Sequence, residues 1–137
     1  MPQAAPTARE MDRLTMDMRL ELIPLPVTDI ARSKAFYVER VGFNLDHDVE
    51  PGNGMRIVQL TPPGSACSIV IGTGMLGSSA SPVTGIHLVV DDLTLVRSTL
   101  LDRGVEVSDI SDMGGGIRYA YFSDPDGNSW ALQEIRI

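Results

Sequence analysis

Cysteine is nearly absent: Cys67 is the single one in 137 residues, so no disulfide can form within the chain and a disulfide scaffold is excluded. A reducing compartment is the default for such a chain. Basic residues are also in deficit, 11 against 18 acidic ones, for a net charge of −7. That balance repels phosphate backbones and anionic lipid, which argues against nucleic-acid and membrane-surface partners. No apolar run approaches the roughly 20 residues needed to cross a bilayer, and the N-terminus lacks the basic-then-apolar order of a secretion signal. The expected location is therefore cytoplasmic. The chain also lacks a phosphate loop, because neither GSSAS nor DMGGGIRY carries the GxxxxGK[ST] pattern. No Ser-His-acid order with a nucleophile elbow occurs either, so nucleophilic catalysis has no support.

What is present suits one soluble domain: 43% apolar and 21% charged residues, long enough to build a core without a metal staple. Residues 1–17 mix Pro, Ala and charges without a period and read as a mobile N-terminal tail. Residues 18–137 then form the single domain, with Met18 an alternative start. Leu20 to Val27 reads as a strand, Thr28-Asp29 as a cap and residues 30–41 as a helix stopped by Gly42. Strands are predicted at Phe43 to Val49, Met55 to Thr61 and Ala66 to Ile71, separated by Pro/Gly breakers. From Gly85 the order restarts with a strand, a cap at Asp92, a helix ending at Gly104 and three further short strands. A shift of 63 residues superposes Val27, Asp29 and Arg40 on Val90, Asp92 and Arg103. The chain thus predicts two βαβββ modules, about 18–75 and 83–137, joined by the small and polar TGMLGSSASPVT.

Successive strand side chains point to opposite faces. Ile23, Leu25 and Val27 share one face, as do Cys67, Ile69 and Ile71, then Ile86, Leu88 and Val90, then Trp130 and Leu132. These faces are expected under the helices, with Cys67 a small hydrophobe among them. The opposite parity carries Leu22 and Pro24, Ser68 and Val70, Gly85 and His87, and Ser129, Ala131 and Gln133. This face is smaller and dotted with polar groups, as the lining of a ligand cavity is, although a plainly solvated sheet face also reads this way.

The runs VTDIARSKAFYVERVGF, its echo VVDDLTLVRSTLLDRGV and YFSDPDGNSWALQE together resemble the vicinal oxygen chelate superfamily, which includes glyoxalases, extradiol dioxygenases and bleomycin-binding proteins. The resemblance implies an α+β fold in which two βαβββ modules form a curved, half-open mixed sheet around a concave cavity, with the helices on the outer face. It also implies a homodimer. Enzymes of the superfamily hold a divalent metal on the concave face. Their four ligand positions fall here on Leu22, Val70, Gly85 and Ala131, none of which has a side-chain donor. A one-residue slip turns the strand over, and a two-residue slip offers only Pro24, Ser68, His87 and Gln133.

The expectation is a small-molecule-binding protein of the glyoxalase/bleomycin resistance type, of use in antibiotic resistance, with neither metal nor cofactor. Its ligand is a largely apolar or aromatic compound held by Leu22, Pro24, Ser68 and Val70 of the first module and by Gly85, His87, Ser129, Ala131 and Gln133 of the second. The alternative is a metal-free isomerase or lyase-like enzyme in which His87 moves a proton, since imidazole is suited to that near neutral pH. His87 is equally readable as a histidine satisfied by a neighbouring carbonyl, and His47 as a solvated one. Arg56 and Arg118 either flank the cavity or lie on the surface. Tyr119 and Tyr121 alternate with Arg118, and their face stays open at this level.

Overall fold

The computed structural model describes residues 16–72 and 80–136. Most of the expected tail, and residues 73–79 of the connecting stretch, lie outside the described residues. Two helices begin at equivalent caps: Asp29 accepts the Arg32 N–H and Asp92 the Leu95 N–H, both at 3.0 Å. Each cap satisfies a donor that the first turn leaves without an intrahelical partner. Helix α1 covers Ile30–Ala35 and α2 covers Leu93–Asp102. The predicted helix over 30–41 changes character at Phe36, where a π-helical turn runs to Val41. Gly42, at φ +94°, ends it by donating its N–H to the Tyr37 carbonyl five residues back. Phe36 and Tyr37, adjacent in sequence, both enter the core.

The expected mixed sheet is two four-stranded sheets of identical order. Sheet A is β1 (Leu22–Pro24), β4 (Ser68–Gly72), β3 (Met55–Thr61) and β2 (Asn44–Gly52) in spatial order. Sheet B repeats it with β5 (Ile86–Val89), β8 (Ser129–Ile135), β7 (Ile117–Ser123) and β6 (Ser111–Asp112). In each, the module's first strand pairs parallel with its last and the remaining pairs are antiparallel. β1 is shorter than predicted because Pro24 and Pro26 have no N–H to donate; past Pro24 only the Leu25 N–H continues the contact, to Val70. The repeat extends to the helix ends: Arg40 reaches the Gly104 carbonyl at 3.5 Å and Arg103 reaches the Arg40 carbonyl at 3.4 Å.

Both sheets turn the same parity of side chains to one shared core. Val58, Leu60, Ile69 and Ile71 enter it from sheet A, and Ala120, Phe122, Trp130 and Leu132 from sheet B. Ile86, Leu88 and Val90 pack against it, as the alternation predicted. Tyr37, Phe43, Phe122 and Trp130 form its aromatic centre, with ring centroids 5.4–6.1 Å apart. Each such pair contributes about 0.5–1.5 kcal/mol beyond area burial. Cys67 departs from its expected place: it stands before β4 in a turn built on the Ser65 hydroxyl, half-buried and outside the core cluster. The strand starts one residue later, so the alternation does not reach Cys67.

The turn Asp124–Asn128 fastens the second module to the first. The buried Asp124 carboxylate accepts from the Tyr37 hydroxyl at 2.8 Å, the Asn128 amide at 2.8 Å, and the N–H groups of Asp126 and Asn128 at 2.9 Å. Asn128 also donates to the Pro26 carbonyl and accepts from the Val83 N–H, both at 2.8 Å. Asp126 accepts from the Thr28 N–H and hydroxyl at 3.0 and 2.6 Å, and from Ser33 at 3.3 Å. Burial, and next the charge of Asp124, push the Tyr37 phenol far above its ordinary range, so it stays a donor.

Asn128→Ala removes three side-chain bonds and strands buried partners, each worth about 1–3 kcal/mol when left unsatisfied. Urea unfolding should show a loss of about 3 kcal/mol at unchanged slope, and heating a Tm lower by roughly 10 °C. A midpoint equal to that of the parent protein would mean that this network does not hold the modules together.

Candidate functional site

Because the helix-side parity fills the shared core, the other parity of each sheet points away from it. On sheet A, Leu22 lies beside Ser68 and Pro24 beside Val70. Val70 and Ser68 are buried, while Leu22 and Pro24 are exposed. Val70 is absent from the core cluster, which places its burial on this outward side. A bulge between Leu45 and His47 leaves Asp46 unpaired in the ladder. Thr61 donates its hydroxyl hydrogen to the Asp46 carboxylate, which can only accept, so Ser68 donates in turn to Thr61 at 2.6 Å. Asp46 and Thr61 escaped sequence reasoning, since the bulge that joins them has no local signature. His47 is exposed on this face, opposite Gln59.

On sheet B, three strands build a row-by-row surface. Val89, Gln133 and Tyr119 lie side by side, then His87, Ala131 and Tyr121, then Ser129 and Ser123. Register settles what alternation left open: Tyr119 and Tyr121 share the face of His87 and Gln133. Their rings are parallel, with centroids 6.0 Å apart, and the His87 ring meets Tyr119 edge-on at 5.6 Å. Ala131, between His87 and Tyr121, is 1% exposed and outside the core cluster. Gln133 donates to the Tyr119 hydroxyl at 2.9 Å, and His87 Nδ1 lies 2.7 Å from the Gly85 carbonyl. Ser129 accepts the Gly85 N–H at 3.1 Å. A depression of about 540 Å3 opens beside these rows, between Glu106–Ser108 and Tyr121, Ser123 and Ser129.

Arg56 and Arg118 lie on neither outward face. Arg56 pairs with Asp48 at 2.9 Å, and Lys34 from α1 reaches the same carboxylate at 2.6 Å. Those two hydrogen bonds hold the Asp48 carboxyl well below the usual range. Arg118 pairs with Glu134 at 2.6 Å and reaches Thr94 on α2. In both cases the acid sits on the helix side of the sheet, so of the two readings of these arginines the cavity-flanking one fails.

With this geometry in view, comparison with known proteins is decisive. The profile of the Glyoxalase/Bleomycin resistance protein/Dioxygenase superfamily matches residues 19–132. The chain belongs to this superfamily. Among solved structures it is similar to TnmS3, an antibiotic binding protein from Streptomyces sp. CB03234, with 34% identity over 89% of this chain and 99% of that one and a TM-score of 0.78. A superfamily member from Sphaerobacter thermophilus DSM 20745 shows 30% identity over 88% and 99%, with a TM-score of 0.76. A glyoxalase/bleomycin resistance protein from Streptomyces sp. CB03234 shows 38% identity over 83% and 98%, with a TM-score of 0.67. No curated protein matches the chain. The four residues that the resemblance lays on the superfamily's metal-ligand positions do not fit a metal: Leu22 and Val70 on sheet A, and Gly85 and Ala131 on sheet B, have no donor side chain, and Ala131 lies buried in the row between His87 and Tyr121. Among the described residues no group of three or more His, Cys, Asp or Glu is placed to hold a metal ion. No helix among them is long and apolar enough to cross a membrane.

Glu134, 1% exposed, also accepts the Leu93 N–H at the start of α2 and pairs with Arg136 at 3.1 Å. The Arg118 hydrogen bond, and then the Leu93 one, lower its pKa from the ordinary 4.5 to about 2. The fold thus favours the ionised form, so this contribution is complete above pH 4.5 and is lost as pH falls through about 2. Glu134→Gln should lower stability at neutral pH and flatten its decline over that acid interval, as read by denaturant titrations at stepped pH. Parallel curves for the two proteins would exclude Glu134 as an acid-sensitive tie.

Proposed function

We propose that this chain is a metal-independent small-molecule-binding protein of the glyoxalase/bleomycin resistance type, holding a largely apolar or aromatic compound against its outward sheet faces. The observation that carries this reading is the replacement of donor side chains by Leu22, Val70, Gly85 and Ala131, on faces that also expose Leu22, Val89 and Tyr121. A surface of this kind binds by apolar contact, and a few polar groups orient the ligand. The description of TnmS3 as an antibiotic binding protein supports the same reading, with sequestration in the cytoplasm as the route to antibiotic resistance. Pro24, Ser68, Ser129, Gln133 and His87 are the polar and shape-setting neighbours. Since both faces point away from the shared core, a ligand held there needs cover from outside the chain, and a second copy supplies it. The working form is accordingly a homodimer.

A second reading rests on His87. A carbonyl can only accept, so Nδ1 carries the hydrogen toward Gly85, and Nε2 is the nitrogen of this exposed residue that the contact leaves for a substrate proton. That is the arrangement a metal-free isomerase or lyase-like enzyme uses for proton transfer.

Three measurements test these readings. Elemental analysis should find no stoichiometric zinc, nickel, manganese or iron, and chelator should leave fold and binding unchanged; one tightly held metal per chain overturns metal independence. Light scattering should give twice the 14.8 kDa of one chain, whereas a concentration-independent monomer removes the dimer. A ligand co-purified with the protein should be recovered unchanged, and His87→Ala should weaken its binding up to roughly tenfold, the worth of one hydrogen bond. Conversion of that ligand, with turnover falling by about 10²–10⁴ in the variant, selects the enzyme instead.

A further inference from the structure

The chain leading into β1 carries an apolar stripe that stands in solvent. Met16, Met18, Leu20 and Leu22 are 75%, 81%, 69% and 37% exposed, and they alternate with Asp17, Arg19 and Glu21, also exposed. This is the two-residue period of a strand with one apolar and one charged side. Sheet A ends before most of it: the β1–β4 ladder starts at Leu22 and Ser68, and the Ser68 N–H reaches back only as far as the Glu21 carbonyl, at 2.9 Å. Among the described residues, 16–20 have no hydrogen-bond partner, and Asp17 and Arg19 have no ion-pair partner. Such a strand satisfies both its backbone and its apolar side by pairing with another strand.

Its sequence complements itself. When two copies pair antiparallel about a twofold axis, residues directly opposite share a face, and the axis residue faces its own copy. An axis at Met18 sets Met18 against Met18, Met16 against Leu20, and Asp17 against Arg19 twice. An axis at Asp17, Arg19 or Glu21 sets like charges face to face, and an axis between residues sets Met18 against Asp17 or Arg19. An axis at Leu20 lays the segment along β1 itself. Asp17 then meets Ile23, which packs against the core, and Met16 meets Pro24, which has no N–H to give.

We propose that residues 16–20 are a docking arm for a second copy of this chain: two arms pair antiparallel about a twofold axis at Met18, with two Asp17–Arg19 ion pairs on one side and a Met/Leu stripe on the other. Leu22 shares the parity of that stripe and stands beside Ser68 on the outward face of sheet A, so the apolar side of the paired arms runs on into that face. Two strands of five residues are marginal by themselves. The inference therefore rests on the homodimer proposed above, and it names the segment and the register through which the copies meet.

Cross-linking of the full chain reads the register. In a Cys67→Ser background, which removes the single native thiol, Met18→Cys should be converted by copper-catalysed air oxidation into a covalent dimer on a denaturing gel. Met16→Cys or Leu20→Cys alone should stay monomeric on that gel. Each stands four residues from its own copy, about 13 Å, against a limit of about 7 Å between bridged Cα atoms. Mixed together, those two variants should link to each other. The ion pairs are tested by reversal. Asp17→Arg sets like charges opposite at both pairs and should weaken the dimer about two- to thirtyfold in analytical ultracentrifugation, while Asp17→Arg combined with Arg19→Asp should return it to the parent affinity. Self-linking of Leu20→Cys, equal linking at all three positions, no linking at Met18, or a double reversal that fails to restore affinity overturns the arm pairing. If light scattering still finds a dimer, the homodimer reading survives that failure. A concentration-independent monomer removes both.

Discussion

One buried carboxylate holds the two modules in a single body. Asp124 takes four hydrogen bonds, from Tyr37 in the first module and from the amides of its own turn. A carboxyl under so much protein is tolerable because each of its oxygens accepts two hydrogen bonds. The same turn sends Asn128 to Pro26 and Val83, and Asp126 to the start of α1. The position of the β7–β8 hairpin against the first helix follows from these contacts. The aromatic centre packs on top of them, with the Trp130 indole donating to the Tyr37 hydroxyl at 3.0 Å.

That constraint decides which side chains face outward. Fastened this way, both sheets direct an apolar parity inward and a mixed one, with Tyr119 and Tyr121 among it, outward. The ion pairs Lys34–Asp48–Arg56, which ties α1 to sheet A, and Arg118–Glu134–Arg136, which lies at the β7–β8 pair beside the start of α2, are also on the helix side. The strong cations of β3 and β7 are thereby used in stabilising the fold. The outward face of sheet B is left with the His87, Tyr119, Tyr121 and Gln133 side chains, rings and hydrogen-bonding groups that the ion pairs do not use. The same pairing geometry keeps Gly116 free of a side chain, since a Cβ there would lie 1.8 Å from the Arg136 carbonyl oxygen.

Much of the candidate site was legible. The parity that gathers Leu22, Val70, His87, Ala131 and Gln133 needs only the two-residue period of a strand, and it holds in all the strands that carry them. That Leu22, Val70, Gly85 and Ala131 stand at the superfamily's metal-ligand positions was implied by the resemblance rather than by the period. Tyr119 and Tyr121 were not, because alternation gives two faces without saying which is inward. Only the pairing of Tyr119 with Gln133 and of Tyr121 with Ala131 phases β7 against β8. The Asp46–Thr61–Ser68 chain was illegible too, since it depends on a bulge that shifts register by one residue.

The amino-acid sequence by itself determined what local physics controls: the caps at Asp29 and Asp92, the alternating faces, the turn at Asp124–Asn128 and the duplicated element order. Each of these follows from backbone preferences and spacing within a few residues. The tertiary structure alone decided that the repeat forms two sheets around one core. It also turned Phe36–Val41 into a π-helical turn, drew Arg56 and Arg118 to acids on the helix side, and brought His87, Tyr119 and Gln133 together. These outcomes rest on contacts between residues far apart in the chain, whose energies depend on register and burial and leave no periodic trace in the sequence.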